Sequence, residues 1–231
     1  DLELAAYILD PLKSKYELDI LTMEYLGKSI DKTQNLTQHI LYYLPLKDKM
    51  AKRIKDFEME NLYYNMELYL SAILADMERN GIKVNPEKLQ DLSDKFGEKL
   101  AKLTEDIYKM SGMEFNINSP KQLGEVLFEK LGLPVIKKTK TGFSTNAEVL
   151  EKLRPKHPII EKILEYRSLM KLKSTYADGL LALVNKDTGK IYTSFNQTVT
   201  STGRISSTEP NLQNIPVKTE EGKHIRGVFT A

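Results

Sequence analysis

The chain lacks cysteine and tryptophan, and it has only three histidines, His39, His157 and His224, which stand far apart in the sequence. Without cysteine there can be no disulfides, thiolate metal sites or cysteine nucleophiles, and a reducing compartment is compatible with this composition. So few histidines argue against a histidine-rich metal centre. No apolar run reaches membrane-spanning length and no signal peptide opens the chain. We therefore expect a cytoplasmic protein.

The overall charge is also low. The net charge is only +2 over 231 residues, with 41% hydrophobic and 29% charged residues, as in ordinary soluble globular proteins. Global charge therefore does not indicate a nucleic-acid partner, and any basic surface has to be local. The length suits one or two domains. The first residue is Asp1 rather than methionine, so we expect this chain to be part of a larger protein.

Apolar residues at helical spacing predict mostly helical structure over the first three quarters of the chain. Two short helices broken at Asp10 and Pro11 come first, and a strong helix over residues 57–79 is predicted to end at Gly81. The apolar stripe of this helix consists of Leu62, Met66, Leu70 and Ile73. A second long helix is predicted over residues 86–110. Its apolar stripe consists of Leu89, Leu92, Phe96, Leu100, Leu103, Ile107 and Met110.

Helix starts and a late strand complete the secondary-structure prediction. Ser119, Pro120 and Gln122 form the pattern of a capping box, and Thr145 with Glu148 suggests a second one. The alternating, β-branched stretch GKIYTSFNQTVT predicts a strand. The sequence thus predicts an α+β fold, mostly helical, in which long helices precede the first antiparallel strands of a sheet.

Positive charge concentrates in residues 116–178, which contain twelve lysines and arginines against seven acidic residues. The stretch KKTKTGFST places Lys137, Lys138 and Lys140 in a polar loop before a helix start. Arg167 and Lys171 are four residues apart and share a helix face, where like charges repel slightly unless an anion lies between them. This region is a candidate phosphate-binding surface. A solvated lysine loop is the alternative that the residues leave open.

Residues 200–216, TSTGRISSTEPNLQNIP, gather polar side chains between small residues and prolines. Arg204 follows Gly203, which leaves room for a partner to approach. Three carboxamides stand between the two prolines, those of Asn211, Gln213 and Asn214. Carboxamides and arginine suit the DNA minor groove, where every base pair presents acceptors. Such a loop would sense base-pair geometry without reading sequence. A polar loop at a sheet edge is the structural alternative.

This segment closely resembles the signature of family A DNA polymerases, the bacterial DNA polymerase I group, at the entrance to the palm. EFNINSPKQLGEVLFEKLGLP resembles the thumb tip of that family, and KKTKTGFSTNAEVLEKL and ILEYRSLMKLKSTYADGL resemble the thumb segments that follow. The resemblance covers residues 57–231, and residues 1–56 more weakly. It implies the end of a degenerate 3′–5′ exonuclease-like domain over residues 1–56, a thumb over 57–186 and the start of a palm over 187–231.

The resemblance implies DNA-binding roles for nine residues: Arg204, Asn211, Gln213, Asn214, Arg167, Lys171, Asn116, Ser119 and Thr145. Arg204 would lie in the minor groove at the primer terminus, and the three carboxamides near the nascent base pair. Arg167 and Lys171 would contact the duplex backbone. Asn116 and Ser119 would hold the primer backbone, with Thr145 nearby. Binding of this kind should be sensitive to salt and independent of sequence.

The implied function is template-directed DNA synthesis by the parent enzyme, with nucleotidyl transfer to a primer 3′ end. Its implied partners are primer–template DNA, dNTPs and a C-terminal fragment carrying palm and fingers, and its implied cofactor is Mg²⁺. The family's catalytic aspartates would lie beyond Ala231, so we expect no catalytic or metal-binding residue in this chain, and no polymerisation by the chain alone.

Two other functions stay open. One is a non-catalytic module that binds duplex DNA. The other is a fragment of a 3′–5′ exonuclease, which would need several carboxylates clustered near the start of the chain. Asp1 is comparable with one metal-binding aspartate of that domain, but its companion Tyr-x-x-x-Asp pattern is not found, since Tyr63 is followed four residues later by Glu67.

Overall fold

A computed structural model describes residues 1–30, 36–139 and 142–230, and the chain divides into two compact units. Unit 1 consists of Asp1–Gly81 and Tyr192–Asn214, and unit 2 consists of Ile82–Ile191 and Ile215–Ala231. Lys140 of the predicted lysine loop lies outside the described residues. The units are groups of residues packed together. The family domains with boundaries at residues 56 and 186 stay a prediction.

Three helices begin unit 1: α1 (Leu2–Leu9), α2 (Leu18–Leu26) and α3 (Leu36–Asp56). The break after α1 falls at Asp10, as predicted. Asp1 caps α1, because its side chain accepts a hydrogen bond from the backbone N–H of Leu4 at 2.9 Å. The core that these helices share is apolar and contains Leu4, Ala6, Leu21, Leu46, Met50 and Ile54.

The next helix of unit 1 starts with a π-helical segment, Asn61–Glu67, and continues as α4 (Leu68–Asn80), which ends at Gly81 as predicted. Tyr63 and Leu74 are buried, whereas Met66 and Ile73 of the apolar stripe are exposed. The π-helical i→i+5 bonding changes the angular phase along the helix, so a spacing of 3.6 residues does not report which face is buried.

Unit 1 is completed by a short antiparallel strand pair. β5 (Ser194–Asn196) pairs with β6 (Ser206–Thr208), with Phe195 opposite Ser207. The single strand predicted over residues 189–200 is wrong, because the structure divides this stretch into β4 (Lys190–Ile191) and β5, which pair with different partners. Residues 197–205 connect the two strands of the β5–β6 hairpin. The segment with the three carboxamides follows β6.

Unit 2 is built on α5 (Pro86–Ser111), which packs against α8 (Ile159–Leu172) and the π-helical segment Lys173–Asp178. Its buried face includes Leu89, Phe96, Leu100, Leu103 and Ile107, most of the predicted stripe. The helix itself is confirmed over almost the predicted range. Regular 3.6-residue spacing succeeds here because this helix has no π-helical turn.

The remaining elements of unit 2 are short. The helices are α6 (Pro120–Gly124), continued by the π-helical segment Glu125–Lys130, α7 (Ala147–Leu153), followed by the 3₁₀ turn Arg154–Lys156, α9 (Gly179–Leu183) and α10 (Glu220–Arg226). β1 (Ile82–Lys83) pairs with β4 (Lys190–Ile191), and β2 (Lys138–Thr139) pairs with β3 (Gly142–Phe143), both antiparallel. The predicted fold class, α+β and mostly helical, is confirmed.

Within the ranges that the structure describes, no helix combines the length and the apolar character needed to cross a membrane.

Candidate nucleic-acid interface

The polar loop, residues 200–216 around Arg204, is anchored by two hydroxyl groups inside unit 1. Ser207 and Thr193 are buried and their oxygens lie 3.0 Å apart. Thr193 Oγ1 lies 2.8 Å from the carbonyl oxygen of Pro210, and Ser207 Oγ accepts a hydrogen bond from the N–H of Leu212 at 3.1 Å. These contacts satisfy backbone groups that regular structure does not pair. The turn at Pro210 is thereby fixed against the hairpin.

Two carboxamides of the polar loop also stabilise its backbone. Asn211 Oδ1 accepts hydrogen bonds from the N–H groups of Gln213 and Asn214 at 3.0 and 3.3 Å. Gln213 Nε2 donates to the carbonyl oxygen of Ile205 at 2.6 Å. A carboxamide nitrogen carries two protons. Asn211 Nδ2 and the second proton of Gln213 Nε2 therefore remain as donors, and both side chains are exposed.

Arg204 is exposed, and no carboxylate of the described residues forms an ion pair with it. The backbone around it is ordered by Gly203, which has a left-handed φ of 73°, and by Thr200, whose hydroxyl donates to the carbonyl oxygen of Arg204 at 2.6 Å. The loop therefore combines a fixed backbone with a guanidinium that has five N–H donors for an outside acceptor.

In unit 2, a cleft of about 900 Å³ lies between the start of α6, the β2–β3 hairpin and α8. It contains three of the predicted residues, Ser119, Thr145 and Arg167. Sequence reasoning missed other polar residues of its wall, namely Asn118, Lys121 and Asn146. For Asn118 and Lys121 the available signal was the run NINSPK, in which they surround a helix start, and for Asn146 it was the helix start in STNAEVL. Glu125 and Glu129 also line the cleft and would repel a phosphate at that end.

Arg167 is partly buried in this cleft and holds the segment before α7. Its Nη1 donates to the carbonyl oxygen of Thr145, and its Nη2 donates to Thr145 Oγ1 at 3.3 Å. Thr145 is only 5% exposed. Burial lowers the pKa of Arg167 from its ordinary value. The predicted backbone-contacting arginine is thus engaged inside the protein, although it also lines the cleft.

The helix caps around the cleft differ from the prediction in two details. Ser119 caps α6 by accepting from the N–H of Gln122 at 3.4 Å, but Gln122 Oε1 accepts from the N–H of Asn116, at 2.7 Å, instead of completing the box at Ser119. The second predicted capping pair is wrong. Asn146, not Thr145, caps α7 by accepting from the N–H of Val149 at 2.9 Å. Both residue types cap helices well, but the Thr145 hydroxyl accepts a hydrogen bond from Arg167 instead.

The other two predicted residues of unit 2 do not line the cleft. Asn116 lies on a separate cavity of about 480 Å³ beside Tyr108 and Tyr166. Lys171 is exposed on α8, one turn beyond Arg167, and no ion pair to it is found among the described residues. The structure therefore gathers three of the five predicted residues of this unit in one place.

Ion pairs neutralise part of the local basic excess. Lys162 lies 3.2 Å from Asp106, Lys152 lies 2.7 Å from Glu148, and Arg154 lies 3.3 Å from both Glu151 and Glu161. Lysines without such pairs in the described part of the chain, including Lys121, Lys156 and Lys171, are the ones whose charge remains for a polyanion.

The family model of DNA polymerase family A matches residues 86–231. The chain belongs to DNA polymerase family A. The resemblance seen in the sequence is thereby confirmed.

Individual family A relatives cover almost the whole chain. DNA polymerase I of Geobacillus stearothermophilus is 46% identical over 248 residues, which is 99% of this chain and 28% of that protein. DNA polymerase I of Bacillus subtilis is 43% identical, again over 99% of this chain and 28% of that protein. The chain therefore spans little more than a quarter of the length of the curated relatives it matches.

A solved family A structure has the same fold as this chain. It is the POL domain of Pol1 from M. smegmatis, in a complex with DNA primer-template and dNTP, at a TM-score of 0.86 and 40% identity. The match covers 99% of this chain and 41% of that chain.

A divalent metal site needs several acidic or histidine side chains close together. Among the residues that the structure describes, no three His, Asp or Glu side chains come close enough together to hold a metal ion. Asp1 uses its carboxylate to cap α1. The carboxylate of Glu67 accepts from Gln197 Nε2 at 2.8 Å. The described residues therefore do not fit the divalent ions that a family A polymerase is expected to use.

Proposed function

We propose that this chain holds the primer–template duplex during template-directed DNA synthesis, in which a family A DNA polymerase transfers nucleotidyl groups to a primer 3′ end. One observation carries the proposal: the polar loop has a fixed backbone, and its Arg204 guanidinium is exposed without an ion pair in the described residues. The relatives named DNA polymerase I and the solved neighbour that binds primer-template and dNTP support it.

The polar loop suits the minor groove at a primer terminus. Every correct base pair presents there the purine N3 and pyrimidine O2 acceptors in similar positions. The groups that the loop offers are donors, namely Arg204, Asn211 Nδ2 and the second proton of Gln213 Nε2. Donors that meet these acceptors bind any correctly paired end and lose contacts at a mismatched one. Asn214 is exposed on the same loop, and we include it in this surface.

The cleft suits a sugar–phosphate backbone. Lys121 supplies an ammonium group, Asn118 and Asn146 supply polar side chains, and Ser119 and Arg167 also line the cleft. Lys171 adds a point charge on the exposed face of α8. Contacts of these kinds position a duplex without reading its sequence. We place Asn116 and Thr145 in a supporting role, since Asn116 binds the Gln122 side chain and Thr145 binds Arg167.

Catalysis would need more than this chain. We infer that dNTPs, Mg²⁺ and a further palm and fingers segment complete the reaction, with metal ligands outside the residues described here. The contribution of this chain is to hold the primer end in a productive position, which lowers the entropic part of the barrier.

The first experiment measures duplex binding directly. Fluorescence anisotropy of the purified chain with a labelled primer–template should show an affinity that is similar for unrelated sequences. Log K should fall with log salt by about 0.9 for each phosphate contact. A salt-independent affinity, or no binding to duplex at low salt, would contradict the proposal.

Lys171→Ala sharpens this experiment, with Lys52→Ala as the matched control. Both lysines are exposed on helices of the described structure, but Lys52 lies on α3 of unit 1. Loss of one phosphate contact should reduce the salt slope by about 1 in Lys171→Ala. The same slope in both variants would exclude Lys171 from the interface.

Primer extension then tests DNA synthesis. With Mg²⁺ and four dNTPs, we expect extension only when a fragment carrying the remainder of a family A polymerase is added. If the mixture binds duplex but never extends the primer, the chain would be a non-catalytic duplex-binding module.

A further inference from the structure

The turn that carries Arg204 is held by a residue from the other end of the chain. Tyr7 of α1 is 4% exposed, and its hydroxyl donates to the carbonyl oxygen of Thr200 at 2.8 Å. The same hydroxyl accepts a hydrogen bond from the N–H of Gly203 at 3.1 Å. One oxygen atom thus bridges the beginning and the end of the turn, immediately before Arg204. All these residues belong to unit 1.

Acidic side chains of the helices in unit 1 hold the neighbouring residues of the same segment. Thr198 Oγ1 donates to Glu3 Oε1 at 2.6 Å, so a second residue of α1 contacts the segment. One residue earlier, Gln197 Nε2 donates to the carboxylate of Glu67 at 2.8 Å. These contacts align residues 197 and 198, whereas Tyr7 contacts both ends of the turn.

Tyr7 is itself held rigidly. Its ring makes an edge contact with the ring of Tyr16, with 6.0 Å between the centroids. Neither aromatic residue is exposed. A hydroxyl on a packed ring has little freedom, so the turn that it bridges loses little further entropy when a ligand binds Arg204.

We propose that Tyr7 is a positioning residue for Arg204, through which α1 sets the conformation of the DNA-contacting turn. The inference rests on the proposed function and adds to it a role for the N-terminal helix, a segment that the sequence associates with a degenerate exonuclease-like domain. Helix α1 would then contribute to primer–template binding without touching DNA.

Tyr7→Phe tests the inference because it removes the bridging oxygen and keeps the ring. The Gly203 amide loses its acceptor, so its hydrogen exchange, followed by NMR in the 231-residue chain, should become faster. Primer–template affinity should fall about three- to tenfold, as expected when one hydrogen bond that preorganises a binding loop is lost. Tyr16→Phe is the matched control. Its hydroxyl donates to the carbonyl oxygen of Asp10 at 2.9 Å, away from the turn, and its affinity should equal that of the wild type.

A double-mutant cycle separates positioning from general stability. If Tyr7 acts through Arg204, Tyr7→Phe should lower affinity in the wild-type background and have no further effect in Arg204→Ala. An equal loss in both backgrounds would overturn the inference, since Tyr7 would then act on the fold as a whole. Wild-type affinity in Tyr7→Phe, while Arg204→Ala binds weakly, would overturn it as well and leave the proposed function intact. Unchanged affinity in Arg204→Ala would overturn the role of Arg204 and this inference together.

Thr198→Val is a second probe that does not alter the core. It removes the hydrogen bond to Glu3 at a half-buried position of the same segment. We expect a smaller loss of affinity than in Tyr7→Phe, again absent in the Arg204→Ala background. A loss that persists there would contradict the role proposed for α1.

Discussion

The polar loop of unit 1 and the cleft of unit 2 each contain one arginine that the sequence selected, and the two arginines differ in what they bind. Arg204 is exposed, and its own backbone carbonyl is held by Thr200. Arg167 is partly buried and directs its guanidinium at Thr145. In the loop, neighbouring residues such as Thr200 hold the backbone, so the Arg204 guanidinium remains available to a ligand. In the cleft the cation itself fixes the backbone.

Arg204→Ala should have the largest effect on function. In a family A polymerase chain that includes this segment, we expect primer extension efficiency to fall about 10- to 100-fold, since a well-placed groove contact contributes about 1–3 kcal/mol. The fall should be smaller for a mismatched primer end, because the groove contacts of Arg204 are already lost there. The free energy of unfolding should change by less than about 0.5 kcal/mol, because the side chain is exposed. Steady-state extension kinetics and denaturant unfolding measure the two effects.

If Arg204→Ala extends matched and mismatched primer ends as efficiently as the wild type, Arg204 does not bind DNA and does not differ from Arg167 in the way proposed. Lys52→Ala, which removes a positive charge from an exposed site on α3, controls for net charge.

Arg167→Ala should show the opposite balance. Its loss leaves the buried Thr145 carbonyl oxygen without a charged donor, and we expect the free energy of unfolding to fall by about 2 kcal/mol. Arg167→Lys should recover only part of this, because an ammonium cannot reproduce the fork of two N–H donors. Denaturant unfolding of the chain measures both variants. If the free energy of unfolding changes by less than about 0.5 kcal/mol in Arg167→Ala, Arg167 contributes no more to stability than Arg204 and the proposed difference is wrong.

Ile107→Ala is the control for stability in the same unit. Ile107 is fully buried on α5, so we expect its truncation to cost about 2–5 kcal/mol. Ile107 does not line the cleft. If Ile107→Ala binds duplex normally below its unfolding temperature, weaker binding by Arg167→Ala reflects the cleft and not reduced stability.

The smallest effect on stability is expected from breaking the ion pair between a third cation, Lys173, and Asp178 in unit 2. Lys173 Nζ lies 2.8 Å from Asp178 Oδ2, and Ser93 Oγ donates to Asp178 Oδ1 at 2.5 Å. Burial alone would raise the pKa of Asp178, but the hydrogen bonds from Lys173 and Ser93 outweigh it and hold this pKa below its ordinary value of 3.8. The contribution to stability is therefore present above that value and lost as the pH falls through the lowered pKa.

Asp178→Asn should accordingly reduce the free energy of unfolding by less than about 1 kcal/mol at pH 6, because the Asp178 side chain is 48% exposed and solvent screens its charge. The difference from the wild type should shrink as the pH falls toward 3. A difference that stays constant with pH would show that the charge of Asp178 has no part in it.

Local sequence patterns predicted the regular elements well. Helix α5 followed from its stripe of residues such as Leu100 and Ile107, and the start of α6 followed from Ser119 and Pro120. The stripe on α4 failed as an indicator of burial, because π-helical turns alter the phase that periodicity assumes. The predicted N-cap of α7 was wrong by one residue. Thr145 and Asn146 are both suitable caps, but the Thr145 hydroxyl binds Arg167, which lies 22 positions further along the chain.

The sequence by itself determined the family, the mostly helical fold class and the concentration of polar and basic residues in two segments. These properties depend on residue type and short-range spacing, because local backbone sterics and side-chain chemistry act between residues that are close in sequence. Tertiary structure alone decided that Arg204 is exposed while Arg167 binds Thr145, and that Tyr7 reaches the turn before Arg204 across 196 positions of sequence. Such contacts join residues that only packing brings together, and no local pattern encodes which hydroxyl or carbonyl oxygen a side chain will meet.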